Sequence, residues 1–308
     1  MSSNKINIVL AGQGNSGKSV FFNFLTGLHQ HIGNWAGKTI EKCEGTLFYK
    51  EQTIDVTDLP GIYSLTTSSE EEVISREYII HQKPDCVINV VDSTNLERSL
   101  IFTLQLLEFQ CPVILALNMF DLSKKKRITI DINKLRHILG IPVVPTVASR
   151  GYGITRVIDK VLEMQGERKE YPVQRYGKEI EDAIHKLTLK ISGLETPYPG
   201  RWIAIKLLEK DPDIVDLIRS KDEAITEEAW KLGEHLEDIH GHDAALVIAD
   251  ERSHLASRIA RETVKLSHHQ KSTLTDRMDA VATHKVYGYL VMIAILGGMF
   301  LTVFGFGN

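Results

Sequence analysis

Gly12-Gln13-Gly14-Asn15-Ser16-Gly17-Lys18-Ser19 is a GxxxxGK(S/T) phosphate loop, set between an apolar run and a helical one. Its glycines let backbone N–H groups turn inward around a phosphate, at the positive end of the helix that follows. Outward from it, INIVLAG (6–12), QTIDVTD (52–58), CVINVVD (86–92), PVILALN (112–118) and PVVPTVA (142–148) read as strands. Four of them are nearly continuous apolar runs, as in strands buried on both faces. Between them Lys18–Leu25, Glu70–Ile80, Leu96–Phe109 and Ile132–Leu139 have helical spacing, and Ile154–Met164 follows the last strand. This alternation predicts an α/β domain, a mostly parallel sheet with helices on both sides.

The rest of the chain reads differently. After a polar stretch, GERKEYPVQRYGK (166–178), residues 179–266 carry only helical patterns. Ile180, Ile184, Leu187 and Ile191 mark one face, Trp202, Ile205 and Leu208 another, and Pro197, Pro199, Pro212 and Gly241 punctuate them. From Val286 to Gly307, 22 residues pass without a charged side chain, long enough to cross a bilayer. Arg277, His284 and Lys285 flank its N-terminal side, which places the preceding part on the cytoplasmic face. The expected division is a nucleotide-binding domain (1–168), a small all-helical domain (169–266), a connector (267–285) and a transmembrane helix (286–307). No signal peptide is read at the N-terminus.

Composition narrows the class. The chain has 308 residues, 43% of them hydrophobic and 25% charged, with a net charge of −4, which argues against a general nucleic-acid binder. Cys43, Cys86 and Cys111 have no CxxC spacing and suit reduced thiols rather than a disulfide framework or a zinc site. His235, His240 and His242 lie near Glu234, Glu237 and Asp238, but their spacing fits a solvated helix end, and the acidic run Glu70–Glu72 reads as a solvated first turn.

The motifs along the sheet specify the ligand. Lys18 supplies a cation to the β- and γ-phosphates, and the Ser19 hydroxyl is a Mg²⁺ ligand. Asp58-Leu59-Pro60-Gly61 closes the second strand, so Asp58 can reach the Mg²⁺ shell and the Gly61 N–H the γ-phosphate. Thr39, between the two motifs, is the second Mg²⁺ hydroxyl by chain order. Asn118-Met119-Phe120-Asp121 matches the NxxD element that selects guanine. Asp121 accepts from the ring N–H and the exocyclic amine, a pair adenine lacks in that arrangement, so discrimination should be large. Val147-Ala148-Ser149 would complete the base pocket through the Ala148 N–H. Together these describe a P-loop GTPase that binds GTP and GDP.

GNSGKS, GNWAGKT (33–39), DLPGIYSL (58–65), VVDSTNLERSL (90–100), TLQLLE (103–108) and PVILALNMFD (112–121) resemble the FeoB ferrous iron transport family. Residues 179–266 resemble its cytosolic helical domain, a nucleotide-dissociation regulator, and TLTDRMDAVATHKVYGYL resembles its approach to the first membrane helix. The resemblance implies a GTPase module in the cell (inner) membrane, cytoplasmic side, gating or driving Fe²⁺ uptake. The family continues into a large polytopic membrane domain, and a small cytosolic partner and homo-oligomer formation fit the same picture. It also implies a potassium ion beside the phosphates, held by Asn15, with the loop of Asn34 and Trp35 closing over it. Lys18, Asn15, Thr39 and Gly61 are then the catalytic set. Ile62 stands where Ras-like proteins carry a water-orienting Gln, so hydrolysis is expected to be slow and K⁺-stimulated. One departure is Gln13-Gly14, where the family usually has Asn-Pro; Gly14 loosens the loop.

Two other classes fit parts of the pattern. A soluble potassium-dependent GTPase of ribosome assembly or tRNA modification predicts a basic RNA-binding appendage and no membrane helix. A regulatory module that holds GDP predicts almost no turnover.

Overall fold

A computed structural model describes residues 5–27, 30–35, 38–62, 64–65, 69–165, 173–266, 282–284 and 287–305. The first stretch of chain forms β1 (Lys5–Ala11), α1 (Lys18–Thr26), β2 (Gln30–Asn34), β3 (Glu41–Tyr49), β4 (Gln52–Asp58) and α2 (Glu70–Gln82). It continues as β5 (Cys86–Asp92), α3 (Leu96–Glu108), β6 (Val113–Asn118), α4 (Phe120–Lys125), β7 (Ile128–Ile130), α5 (Ile132–Leu139), β8 (Val143–Pro145) and α6 (Ile154–Met164). Then come α7 (Lys178–Ile191), α8 (Gly200–Leu208), α9 (Pro212–Arg219), α10 (Glu223–His240), α11 (Ala244–Thr263), β9 (Val264–Leu266) and α12 (Tyr287–Gly305). Residues Met1–Lys265 make one compact unit and Leu266–Asn308 a second.

The main sheet has seven strands in the order β2-β3-β4-β1-β5-β6-β8. Strands β4, β1, β5, β6 and β8 run parallel, and β2 and β3 extend the sheet antiparallel beyond β4. Every residue of β6 is buried, as an apolar run flanked by helices requires. One face of the sheet packs α1 and α6 through Phe21, Phe22, Val157 and Val161; the other packs α2, α3 and α5 through Ile79, Leu100 and Leu135. This is the expected P-loop GTPase fold, with a mostly parallel sheet and a helical part following.

Three readings change. The sequence missed β2 and β3, the last two strands at one end of the sheet, whose residues are at most partly buried and so need no apolar run. The strand expected over 142–148 is only Val143–Pro145, because a short 3₁₀ turn, Ala148–Arg150, follows it. The acidic turn is not all solvated. Ser69 caps α2 by accepting from the Glu72 N–H at 3.3 Å, and Glu72 is buried, accepting from the Ser64 hydroxyl at 2.6 Å. Glu70 does face water, paired with Lys38 at 2.9 Å.

The core on the α2–α3 side runs without a break into α7–α11. Trp202, 1% exposed, stacks on Tyr198 at 4.9 Å and meets Phe109 at 4.8 Å. Charges are buried there too. The Arg252 guanidinium of α11 donates to Glu108 at the end of α3 at 3.1 and 3.3 Å, and to Glu209 at 3.0 Å. Lys206 Nζ donates to Glu209 at 2.6 Å, and the Tyr176 hydroxyl donates to Glu108. Burial pushes the Glu209 carboxyl up, but Lys206 and Arg252 outweigh it and hold the group below the usual carboxylate range. A second link starts on α2: Arg76, 1% exposed, donates to Asp213 at 2.6 Å and to Asp211 at 3.4 Å.

The cysteines are free; burial raises the Cys86 thiol and pushes that of the partly exposed Cys111 up to about 12. In the second unit, the stretch Gly288–Gly305 of α12 has a mean hydropathy of 2.0 over 18 residues, enough by length and composition to cross a membrane. The expected boundary at 168, residues 267–281 and 285 of the connector, and residues 286 and 306–307 of the expected membrane helix lie outside the described residues.

Candidate functional site

The parallel strands end at one edge, and the motifs sit there because each directly follows a strand. Leu10 of β1 is in register with Asp58 of β4, and Asp92 of β5 with Asn118 of β6. Chain connections depart to opposite sides on either flank of β1, so the phosphate loop lies at the topological switch point, where open α/β sheets bind ligands.

The phosphate loop is shaped by close approaches. A Cβ on Gly12 would stand 2.4 Å from the Val90 carbonyl oxygen of β5. Gly17 has φ 85°, and a Cβ there would stand 2.4 Å from Asn118 Nδ2, so only glycine fits. Asn15 also has a left-handed backbone, φ 65°, which Asn tolerates better than most residues. Gln13 donates from Nε2 to the Arg98 carbonyl at 3.1 Å, tying the loop to α3. Gly14, Asn15 and Ser19 are exposed, whereas Ser16 and Lys18 are buried.

Lys18 meets the DLPG segment directly. Its ammonium pairs with the Asp58 carboxylate and donates to the Leu59 carbonyl oxygen. Burial pushes the Asp58 carboxyl above its ordinary value, and Lys18 pulls it part of the way back. The Leu59 N–H donates to the Leu10 carbonyl at 3.0 Å, and the Ile62 N–H to the Gly12 carbonyl at 3.2 Å. Pro60 is half-buried between them, and a Cβ on Gly61 would sit 3.5 Å from the Gly14 backbone. Ile62, 2% exposed, belongs to the core and offers no polar atom to a water. Beyond it, the Leu65 N–H donates to Gln105 Oε1 of α3 at 3.0 Å.

Asn118 fastens three segments together. Its Nδ2 donates to the Ser16 carbonyl at 2.8 Å, while Oδ1 accepts from the Ala148 N–H at 2.9 Å and the Thr146 hydroxyl at 3.4 Å. The expected free Ala148 N–H is therefore already donated inside the protein; donating it to a base oxygen would require sharing or exchange. The cause is the buried Asn118 oxygen, which needs a donor. Met119 has φ 55°, which turns the chain so that Asp121 stands in the first turn of α4. Asp121 is partly exposed, with Arg150 Nη2 at 4.0 Å. Val147 is buried and Ser149 exposed on the same turn.

The loop of Asn34, Trp35 and Thr39 is the more exposed. Thr39 and Asn34 are exposed. Trp35 lies against α2, edge-on to Tyr78 with ring centroids 5.2 Å apart, with Lys42 Nζ 5.1 Å above the indole. Its indole N–H is buried without an acceptor among the described residues. Among the described residues no group of three or more His, Cys, Asp and Glu stands together as a metal cluster; His235 and His240 lie toward the end of α10 and His242 just beyond it. Sequence reasoning missed Thr146, Arg150, Gln105 and Arg76, whose roles depend on contacts far along the chain and leave no local signal.

A phosphate loop tied to an Asp-Leu-Pro-Gly turn through Lys18 and to an NxxD element through the buried Asn118 makes a guanine-nucleotide site. The family profile described as "Ferrous iron transport protein B" matches residues 6–161, and that of the "FeoB cytosolic helical domain" matches residues 176–265. The chain belongs to the ferrous iron transport protein B family. It is 39% identical over 320 residues to a Porphyromonas gingivalis Fe(2+) transport protein A/Fe(2+) transporter FeoB fusion protein, covering 98% of this chain and 37% of that one. It is 33% identical over 309 residues to the Escherichia coli (strain K12) Fe(2+) transporter FeoB, covering 99% and 39%. The chain thus spans about two fifths of the length of these curated relatives. The cytosolic domain of the T. maritima FeoB iron transporter in a GMPPNP form superposes with TM-score 0.74 at 35% identity, over 84% of this chain and 99% of that one. An S. thermophilus NFeoB mutant bound to GDP gives 0.78 at 32%, over 84% and 99%. The FeoB G domain is a GTPase domain, and residues 6–161 are this chain's copy of it.

Proposed function

We propose that this chain is the GTP-hydrolysing cytoplasmic module of a membrane ferrous iron transporter, its nucleotide state gating or driving Fe²⁺ passage. The observation that carries the reading is the Asn118 joint, which holds the phosphate loop and the base-side turn in one fixed relation. On this reading Gly12–Lys18 wrap the phosphates and Asp121 reads guanine. The hydroxyls of Ser19 and Thr39 and the Asp58 carboxylate are hard oxygen donors that suit Mg²⁺. Asp58, buried and already beside a cation, is the kind of carboxylate that a second positive charge would keep ionised. Bound Mg²⁺ would neutralise phosphate charge, and Lys18 would turn from Asp58 toward the phosphates.

Potassium stimulation is the finer part of the proposal. Asn15, exposed at the loop's left-handed residue, can present its side-chain oxygen to K⁺ beside the phosphates. Trp35 would have to leave its present contact with Tyr78 for the loop of Asn34 and Trp35 to close over it. Such a cation would supply positive charge that Ile62 cannot help to position. Multiple-turnover phosphate release should be faster in KCl than in NaCl at equal ionic strength. Asn15→Ala should remove the difference while the chain still binds GDP; an undiminished K⁺ response in that variant refutes the assignment.

The soluble RNA-linked alternative is not favoured, because the helical profile and an apolar α12 stand where a basic appendage would be expected. Location at the inner membrane, Fe²⁺ as the transported ion, a small cytosolic partner and self-association belong to the proposal for the longer protein. Further hydrophobic spans in the downstream coding sequence would support the transport role, and a stop codon would count against it.

A further inference from the structure

The turn after β8 is pressed between two surfaces, and both presses fall on glycines. Gly151 has φ 66°, and a Cβ there would lie 2.1 and 2.3 Å from ring atoms of Phe24 on α1. Gly153 has φ 81°, and its Cβ would lie 2.3 Å from the Pro145 carbonyl oxygen. The Phe24 ring therefore rests on the bare α-carbon of Gly151. Phe24 is 52% exposed, so the sheet core does not need it; its inner face serves this contact. Inside the turn, the Val147 N–H donates to the Tyr152 carbonyl at 3.0 Å, and the Gly151 N–H to the Ala148 carbonyl at 3.1 Å. Arg150, the preceding residue, reaches to 4.0 Å from Asp121.

We infer that Phe24 is a positioning residue for the guanine pocket: its ring braces the 147–153 turn from outside and so slows nucleotide dissociation. Phe24 links α1, whose first turn carries Lys18 and Ser19, to the turn that carries Ala148. A shift of the turn away from α1 opens the base side, and the ring on Gly151 is the contact such a shift must break. The inference rests on reading Val147–Ser149 as the wall of the base pocket.

The test uses the full chain in detergent, loaded with N-methylanthraniloyl-GDP and chased with excess GDP. Phe24→Ala should speed release about five- to tenfold, the scale of one lost aromatic contact, with association changed by less than about twofold. Phe24→Tyr, which keeps the ring, should restore slow release. Gly151→Ala drives a methyl into the ring's place and should also speed release, but by a smaller factor when Phe24 is already Ala. Unchanged release in Phe24→Ala, or equal release rates in the Ala and Tyr variants, overturns the inference. If Phe24→Ala lowers the melting temperature by more than a few degrees, Phe24→Leu replaces it under the same criteria. Asp121→Asn tests the underlying reading separately. Undiminished GDP affinity there sinks the base pocket itself, whereas lost affinity with normal release in Phe24→Ala sinks only the brace.

Discussion

The two sides of the nucleotide site are built on opposite plans. On the base side, Asn118 is buried with both ends of its amide engaged, and the turn beyond it is wedged between α1 and β8. On the phosphate-sensing side, Thr39 and Asn34 are exposed, and Trp35 is parked on Tyr78 with its indole N–H unpaired among the described residues. Recognition of a base benefits from a preformed pocket, since ordering it on binding would cost affinity. Sensing a γ-phosphate needs the reverse, a segment whose two arrangements differ by little energy. Behind the exposed loop the order returns: α2 is anchored to the start of α9 by the buried Arg76. Through Arg76, α2 is thus tied to the helical part behind the exposed loop.

Breaking that anchor should have the largest effect. Arg76→Met takes the paired guanidinium from the buried Asp211 and leaves it only the more distant charge of Lys206, and removing one partner of a buried pair costs about 3–5 kcal/mol. Burial already pushes the Asp211 carboxyl above its ordinary value while Arg76 pulls it down, so the variant's carboxyl should rise further. A group whose folded pKa is raised weakens the fold when ionised, and protonation relieves this. The deficit should therefore be greatest at neutral pH and shrink as pH falls through that raised value. Urea titrations at pH 7.5 and 5 read this directly, and a deficit independent of pH would show that Asp211 is not the stranded group.

Asn118→Ala tests the base side. It leaves the Ser16 carbonyl and the Ala148 N–H without their partner, at about 1–3 kcal/mol for each group that stays buried. GDP affinity should fall by roughly a hundredfold, the equivalent of about 2.7 kcal/mol, measured by calorimetry. A change under threefold would mean the base side is no more rigid than the other. The smallest effect belongs to the parked tryptophan. Tyr78→Ala removes one edge-on aromatic pair, worth about 0.5–1.5 kcal/mol, and the 2.9 Å hydrogen bond between the Tyr78 and Thr57 hydroxyls, worth about as much again. Stability should move by no more than their sum, while Trp35 emission should shift to the red. Emission that does not move would place Trp35 elsewhere in solution and weaken the contrast between the two sides.

The contrast also explains what could be read from residues alone. Gly12–Ser19, Asp58–Gly61 and Asn118–Asp121 were legible because each is a short segment whose backbone does the chemistry, so its residue types are fixed locally. The parallel strands were legible because burial on both faces demands apolar runs. Strands β2 and β3, at the half-exposed edge of the sheet, carry no such demand and were missed. Glu72 was misread for a related reason: three successive acids look alike in sequence, and only packing decides that one of them is buried against Ser64.

The sequence by itself determined the ligand chemistry, the sheet that presents it and the helical character of the second half. Helix and strand periods and motif spacing are properties of neighbouring residues. Tertiary structure alone decided how the parts are fastened. Asn118 joins residues 102 positions apart, Arg252 and Glu108 are separated by 144, and Phe24 meets Gly151 across the sheet edge. Such contacts depend on where the chain returns in space, and no local pattern records that.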